Sequence, residues 1–203
     1  MTPLEMLLIG FAVGFTGAMV PGPMLFATIE SSLKTGWTAG PKIVFGHALL
    51  EIFTCILIIA GMTAIMNERV IRAISLIGGI SLIVFGGMIL KGRAKAGFDI
   101  KSSSSVTNPV LAGIMTSASN PFFWLWWLSA GNGLLVEGLR TGLTAAGVFV
   151  LGHWMADTAW YSLVSGSFSR GRSLMPEKLY RSVLAACGMF LIVFGLWFII
   201  RTI

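Results

Sequence analysis

One 17-residue segment of the chain occurs twice, and the two copies begin 106 positions apart, at Thr35 and Thr141. The copies read TGWTAGPKIVFGHALLE and TGLTAAGVFVLGHWMAD, and seven of the aligned positions are identical. Both histidines of the chain lie in these copies, and a carboxylate follows each after four residues, which gives the pairs His47–Glu51 and His153–Asp157. Residues i and i+4 lie on the same face of a helix. The repeat therefore predicts a duplicated helical unit with one His–carboxylate pair in each copy.

The segments around this repeat are too apolar for a soluble domain. Hydrophobic residues make up 56% of the 203 positions and charged residues only 11%, so lipid must solvate most of the surface. A helix needs about 20 apolar residues to cross the hydrocarbon core of a bilayer. Six stretches of about that length or longer are predicted to span the membrane: residues 4–30, 40–65, 71–90, 109–131, 141–167 and 179–200.

The duplication extends over three of these spans, because the sequence LIVFG at residues 82–86 recurs at residues 191–195. Residues 1–92 are predicted to form the first three-helix repeat, residues 93–108 a cytoplasmic linker, and residues 109–203 the second repeat. An odd number of spans turns the second copy upside down relative to the first. The predicted fold class is therefore all-α and integral to the membrane, with six transmembrane helices arranged as two inverted repeats.

Prolines interrupt the first and the fourth predicted span. Pro21, Gly22 and Pro23 stand in the first, and Asn120 and Pro121 stand in the fourth. Proline lacks a backbone N–H and clashes with the preceding turn, so both helices are predicted to break. Such a break must be buried in protein or line a wet cavity. The new helix starts present N–H groups and a positive dipole end, which predicts a binding site for a substrate carboxylate; a simple packing kink is the alternative.

Ionisable side chains inside a membrane span are usually functional, because an unpaired charge is costly there. The two His–carboxylate pairs are predicted to serve in proton coupling or to hold a substrate ammonium, so that a zwitterion would bridge them and the helix breaks. Imidazole and carboxylate groups also bind zinc, nickel or manganese, which makes a divalent-metal site the alternative. Structural hydrogen bonds between helices are a third option. The residues at issue are His47, Glu51, His153 and Asp157.

The basic residues predict the orientation of the chain in the membrane. The links after the first, third and fifth spans carry ten of them, against four on the opposite side, so these links are predicted to be cytoplasmic. The ten residues are Lys34, Lys42, Lys91, Arg93, Lys95, Lys101, Arg170, Arg172, Lys178 and Arg181. Both termini should then be extracytoplasmic, in a multi-pass protein of the cytoplasmic membrane. The net charge of +6 is thereby assigned to topology and not to a nucleic-acid partner.

Four further local features give predictions. The tryptophans that follow Pro121 are expected mainly at a membrane interface, and residues 132–138 are expected to form a loop. Cys55 and Cys187 are expected to be apolar core residues; the alternative is a thiol–disulfide carrier. The glycine stripes allow close helix packing within one chain or between two chains of a homodimer; these glycines are Gly10, Gly14, Gly78, Gly79 and Gly86.

The proline motifs also carry a family resemblance. A Pro-Gly-Pro in the first span, an Asn-Pro followed by aromatic residues in the fourth, six spans and a short basic central loop together resemble the LysE-type (lysine exporter, RhtB-like) superfamily of amino-acid exporters. The resemblance covers nearly the whole chain, and the residues that match the family signature are Pro21, Gly22, Pro23, Asn120 and Pro121. It implies efflux of amino acids or similar small metabolites across the cytoplasmic membrane, driven by the proton gradient. Divalent-metal export through the two His–carboxylate pairs is the alternative function.

An enzyme is not expected. The sequence has no nucleophile–base–orienter set, no Gly-rich phosphate loop and no cysteine metal cluster. No cofactor is predicted. The expected partners are a small-molecule substrate, protons and the lipid bilayer.

Overall fold

The computed structural model describes residues 1–20, 22–61, 68–93, 108–171 and 176–200. All regular elements in these residues are helical, which confirms the predicted all-α class. The helices are α1 (Pro3–Ala18), α2 (Pro23–Thr35), α3 (Ala39–Ile59), α4 (Glu68–Arg93), α5 (Pro109–Ala118), α6 (Pro121–Trp126), α7 (Asn132–Thr141), α8 (Leu143–Gly171) and α9 (Glu177–Ile200). A single π-helical turn, Trp127–Gly131, joins α6 to α7.

Several of these helices are suited to a membrane. By length and composition, α3 (21 residues, mean hydropathy 2.0) and α9 (24 residues, 2.7) can each cross a bilayer, and α1 with α2 passes the same test as one broken segment. The described residues thus contain two or three candidate spans on this criterion. Large apolar side chains point outward, among them Leu4, Phe45, Ile77, Leu143 and Ile200. An apolar exterior of this kind is expected where lipid, not water, surrounds the helices.

Helix ends occur at both positions where proline predicted them. The chain bends by 78° between α1 and α2, and α2 begins at Pro23, where the missing N–H of proline costs no helical hydrogen bond. Pro21 lies outside the described residues. In the second half, α5 ends at Ala118 and α6 begins at Pro121. The side-chain oxygen of Asn120 accepts a hydrogen bond from the backbone N–H of Phe122 at 3.1 Å, so Asn120 caps the new helix.

Two connections between predicted spans are largely helical. Between the first two spans, α2 continues to Thr35 and ends at Gly36, whose φ of 90° favours glycine. Residues 132–138 were expected to form a loop, but they belong to α7. The Asn-Gly pair at the start of that segment is a turn signal, which tertiary packing overrides. Leu135 and Gly138 are buried, and Gly138 lies directly against Ala146 of α8.

Glycines bring α1 into backbone contact with α8. A Cβ atom at Gly10 would collide with the carbonyl oxygen of Phe149, and one at Gly14 would lie 2.6 Å from Nδ1 of His153. Because positions 10 and 14 meet positions 149 and 153 in that order, α1 and α8 run in the same direction.

The same relation joins α3 to α5. A Cβ atom at Gly113 would collide with the carbonyl oxygen of Ile43, and Ser117 contacts His47, so these two helices also run in the same direction. Ile43 and His47 are the repeat equivalents of the α8 residues in the first pair. Equivalent helices of the two halves therefore make equivalent contacts.

Helix α4 packs against α9 through glycines of both helices. Gly79 lies against the carbonyl oxygen of Gly195, and Gly86 lies against that of Gly188, so α4 and α9 run antiparallel. The glycine stripes on α1 and α4 are thus packed within one chain. A homodimer would have to use another surface.

Candidate functional site

A cavity of about 600 Å³ lies between the two helix breaks and helices α3 and α8. Gly22 from the first break and Asn120 from the second line it. The remaining polar lining comes mainly from the repeat and its surroundings, and includes His47, Glu51, His153, Asp157, Ser117 and Tyr161. The cavity therefore joins the two features that the sequence marked separately, the helix breaks and the His–carboxylate pairs.

The two His–carboxylate pairs form one cluster. Within α3, Nε2 of His47 lies 3.0 Å from Oε1 of Glu51, and within α8, Nε2 of His153 lies 3.5 Å from Oδ2 of Asp157. The pairs also contact each other, because Nε2 of His153 lies 3.0 Å from Oε1 of Glu51. Nε2 of His47 lies 3.7 Å from Oδ2 of Asp157. The sequence predicted the contacts within each helix but not those between them.

Two indoles hold the carboxylate of Glu51. Nε1 of Trp127 donates a hydrogen bond to Oε1 at 3.1 Å, and Nε1 of Trp154 donates to Oε2 at 2.7 Å. Glu51 is completely buried and Trp127 is only 1% exposed. The expected interfacial role is therefore wrong for Trp127, because its buried N–H needs an acceptor and Glu51 supplies one.

Trp126 also departs from the predicted interfacial position. Its ring lies 4.7 Å, centre to centre, from the imidazole of His153, and it lines the cavity. The π-helical turn begins at the next residue, so successive tryptophans both reach the cluster. Single π-helical turns are frequent at functional sites.

Asp157 has far fewer partners than Glu51. Its Oδ2 is buried and accepts no hydrogen bond from any described residue, although both imidazoles lie within 3.7 Å. The two carboxylates of the repeat are therefore in different states: Glu51 is fixed by donors, and Asp157 retains an unused acceptor at the cavity wall.

The two imidazoles differ in the same way. Nδ1 of His47 lies 2.6 Å from Oγ of Ser117, at the end of α5 beside the second helix break. Nδ1 of His153 is buried without a hydrogen-bond partner among the described residues. Gly14 packs against it, at the position of α1 that is equivalent to Ser117 of α5. A glycine in one half thus replaces the hydroxyl of the other.

Comparison with known proteins identifies the family of the chain. The model of the LysE type translocator family matches residues 15–202 of the chain. The chain belongs to the LysE type translocator family. It is 23% identical over 185 residues to "Putative amino acid efflux protein YcgF" of Bacillus subtilis strain 168, and the match covers 87% of each chain. No solved structure matches significantly.

Membership of the LysE type family confirms the resemblance that the proline motifs indicated. It identifies the chain as a membrane translocator, and the family is not a class of enzymes. The signature residues that the structure describes lie at the helix breaks: Pro23 and Pro121 are buried at the starts of α2 and α6, and Gly22 and Asn120 line the cavity.

The start of α2 offers one first-turn backbone donor among the described residues. Gly22 provides no side-chain hydrogen bond to this helix end, Pro23 has no N–H, and the N–H groups of Leu25 and Phe26 donate to the carbonyl of Gly22. The N–H of Met24 therefore has no acceptor among the described residues, as is common at the start of a helix. This end of α2 can therefore receive an anion beside the cavity.

Sequence reasoning missed one buried ion pair. Glu30 on α2 is only 3% exposed and pairs with Lys34 one turn later. The hydroxyl of Ser31 also donates to its carboxylate at 3.3 Å. The i,i+4 spacing of acid and base was the available signal, but Glu30 had been placed at the end of a span, where water would reach it.

The cysteines behave as apolar core residues. Cys55 and Cys187 are both buried and free, and they belong to different hydrophobic clusters. The structure gives the thiol–disulfide alternative no support.

Proposed function

We propose that this LysE-type translocator exports amino acids or similar small metabolites across the cytoplasmic membrane, by secondary active transport coupled to protons. The observation that carries the proposal is the single cavity that joins both helix breaks to the buried His–carboxylate cluster. A volume of about 600 Å³ is ample for a small metabolite. The relative from Bacillus subtilis, which is named for amino acid efflux, supports the substrate class.

The substrate carboxylate binds at the start of α2. This end of the helix has no side-chain cap, so the N–H of Met24, which lines the cavity, and the positive end of the helix dipole favour an anion. Asn120 closes the other break; its side-chain oxygen caps α6, which leaves the amide nitrogen as a donor. The signature residues of both breaks are Pro21, Gly22, Pro23, Asn120 and Pro121.

The substrate ammonium binds at Asp157. Glu51 already accepts hydrogen bonds from Trp127, Trp154 and His153. Oδ2 of Asp157 accepts none from the described residues, and Asp157 lines the cavity. A cationic group that reaches this oxygen gains a charge-assisted hydrogen bond without displacing an existing one.

Protons occupy the same cluster when the substrate is absent. Both imidazoles lie within 3.7 Å of Asp157, so a protonated His47 or His153 compensates its charge. A substrate ammonium and a protonated imidazole repel at such a distance, and the repulsion is strong in a low-dielectric site. Binding of the substrate therefore favours release of a proton, which is the exchange that an antiporter requires.

Six spans in two inverted repeats complete the proposal. The parallel pairs α1/α8 and α3/α5 and the antiparallel pair α4/α9 support it, because these are the relations expected when six consecutive spans alternate in direction. That alternation sets the second group of three opposite to the first. Rocking of one group against the other would open the cavity to each side in turn. The basic links would then be cytoplasmic and both termini extracytoplasmic.

Proteoliposomes test the proposal. Vesicles that contain the purified protein are loaded with a panel of labelled amino acids, and efflux is measured with and without an acidic exterior. At least one amino acid should leave faster than from empty vesicles, and the acidic exterior should accelerate it. Asp157→Asn should abolish this efflux. Glu137→Gln is the matched control, because this exposed carboxylate pairs with Arg140 away from the cavity.

Failure to move any amino acid above the background of empty vesicles would contradict the proposal. Efflux of labelled Zn²⁺ or Mn²⁺ from the same vesicles, without efflux of amino acids, would favour the alternative of divalent-metal export by His47, Glu51, His153 and Asp157.

A further inference from the structure

The charge of the cluster can be neutralised in two ways. The carboxylates of Glu51 and Asp157 each lie within ion-pair distance of both imidazoles, those of His47 and His153. Two buried carboxylates without compensation are costly in a low dielectric. One proton on each imidazole neutralises them, and so does one divalent cation bound by two neutral imidazoles.

The four donor atoms lie close enough together to bind one metal ion. Zinc binds imidazole nitrogen and carboxylate oxygen at about 2.0–2.2 Å, usually with tetrahedral geometry, so the edges of its ligand tetrahedron are roughly 3.3–3.6 Å. The four distances from the Nε2 atoms of His47 and His153 to the carboxylate oxygens of Glu51 and Asp157 are 3.0, 3.7, 3.0 and 3.5 Å, close to these edges. The nitrogen–nitrogen and oxygen–oxygen distances lie within 4.8 Å, so small side-chain rotations would complete the tetrahedron around an ion.

The surroundings orient these donors as a metal site requires. Ligating histidines usually donate their second ring N–H to a neighbouring group, which fixes the tautomer. Ser117 can accept from Nδ1 of His47 at 2.6 Å, which frees Nε2 for a cation. Trp154 holds Oε2 of Glu51 at 2.7 Å and thereby directs Oε1 toward the imidazoles.

We infer that His47, Glu51, His153 and Asp157 form a binding site for one divalent transition-metal ion of the zinc class. The cavity that all four line gives the ion access. Mg²⁺ and Ca²⁺ do not fit, because they prefer six or more oxygen ligands. The inference rests on the geometry of the cluster and not on the proposed function. The ion competes with protons on both imidazoles and with a substrate ammonium at Asp157.

Metal binding to the purified protein tests the inference. The chain has no histidines besides His47 and His153, so protein freed of any affinity tag contributes no other imidazole. Calorimetry with Zn²⁺ should give one equivalent bound, and excess Mg²⁺ should not displace it. Co²⁺ should bind with the intense visible bands of a four-coordinate, tetrahedral ion.

Matched variants assign the site. His153→Gln should weaken Zn²⁺ binding by more than about tenfold, and Ser117→Ala, which removes a neighbour of a ligand, by about tenfold. Glu137→Gln keeps the wild-type affinity, because its exposed carboxylate pairs with Arg140. Each variant is first checked for insertion and for a single gel-filtration peak.

Three results would overturn the inference: no one-to-one binding to the wild type, the weak bands of six-coordinate Co²⁺, or wild-type affinity in both His47→Gln and His153→Gln. These results are independent of the transport assay. Zinc binding without amino-acid efflux would retain the site and contradict the proposed function, and efflux without zinc binding would do the reverse.

Discussion

The two copies of the repeat place the same chemistry in different surroundings. In the first copy, Glu51 accepts hydrogen bonds from two indoles and from His153, and His47 contacts Ser117. In the second copy, Oδ2 of Asp157 and Nδ1 of His153 have no hydrogen-bond partner among the described residues. The two pairs have the same spacing in sequence, but the residues around them give them different hydrogen-bond partners.

This difference separates a fixed group from an available one. A carboxylate that is held by several donors is a rigid anchor between helices, and it gains little from a substrate. A buried carboxylate oxygen without a donor bears a desolvation cost that a cationic ligand would relieve. Under the proposed function, anchoring between helices is the role of Glu51 and binding of the substrate ammonium is the role of Asp157, and three substitutions test this difference.

Glu51→Gln should have the largest effect. Removal of one member of a buried ion pair costs about 3–5 kcal/mol, and the glutamine amide would face N–H donors from Trp127 and Trp154. We expect a clearly lower thermal midpoint in detergent together with loss of efflux. Thermal unfolding followed by tryptophan fluorescence measures the first and proteoliposome efflux the second. Wild-type stability in this variant would contradict the anchoring role.

Asp157→Asn should separate transport from stability. Efflux should be lost, because the neutral amide cannot hold an ammonium. The free energy of unfolding should fall by less than in Glu51→Gln, since the ion pairs with His47 and His153 are lost but no hydrogen bond to Oδ2 is lost. The two assays used for Glu51→Gln serve here. A destabilisation equal to that of Glu51→Gln would show that the two carboxylates have the same role.

Ser117→Ala should have the smallest effect, because it makes the first copy resemble the second. His47 would lose the hydroxyl that contacts Nδ1, at a cost of about 1 kcal/mol, or roughly fivefold in efflux. The initial rate of efflux measures it. The reciprocal substitution, Gly14→Ser, is sterically excluded, since a Cβ atom at Gly14 would lie 2.6 Å from Nδ1 of His153. An unchanged efflux rate in Ser117→Ala would show that the contact between this hydroxyl and His47 has no effect on transport.

Local chemistry explains what the sequence predicted correctly. The backbone restrictions of Pro23 and Pro121 act on their own turns, so the helix breaks could be predicted without a tertiary structure. The i,i+4 spacing likewise placed His47 beside Glu51, and His153 beside Asp157.

The joining of the pairs could not be predicted in that way. His153 meets Glu51 across 102 positions of sequence, and Trp127 reaches Glu51 across 76. Such contacts depend on how α3 packs against α8 and on the π-helical turn, which shifts the register of the tryptophans. Composition predicted a membrane interface for Trp127, but tertiary packing buries it against Glu51. Composition also predicted a loop for residues 132–138, but packing against α8 stabilises them as part of α7.

Discrimination of the substrate amine is the decisive test of the role of Asp157. Binding of the best-transported amino acid to the purified protein is compared with binding of its analogue in which a hydroxyl replaces the amine, in the wild type and in Asp157→Asn. We predict a strong preference of the wild type for the amine and a fall of about tenfold or more in that preference in the variant, since a charged hydrogen bond contributes about 1.5–3 kcal/mol. An undiminished preference for the amine in Asp157→Asn would contradict this role.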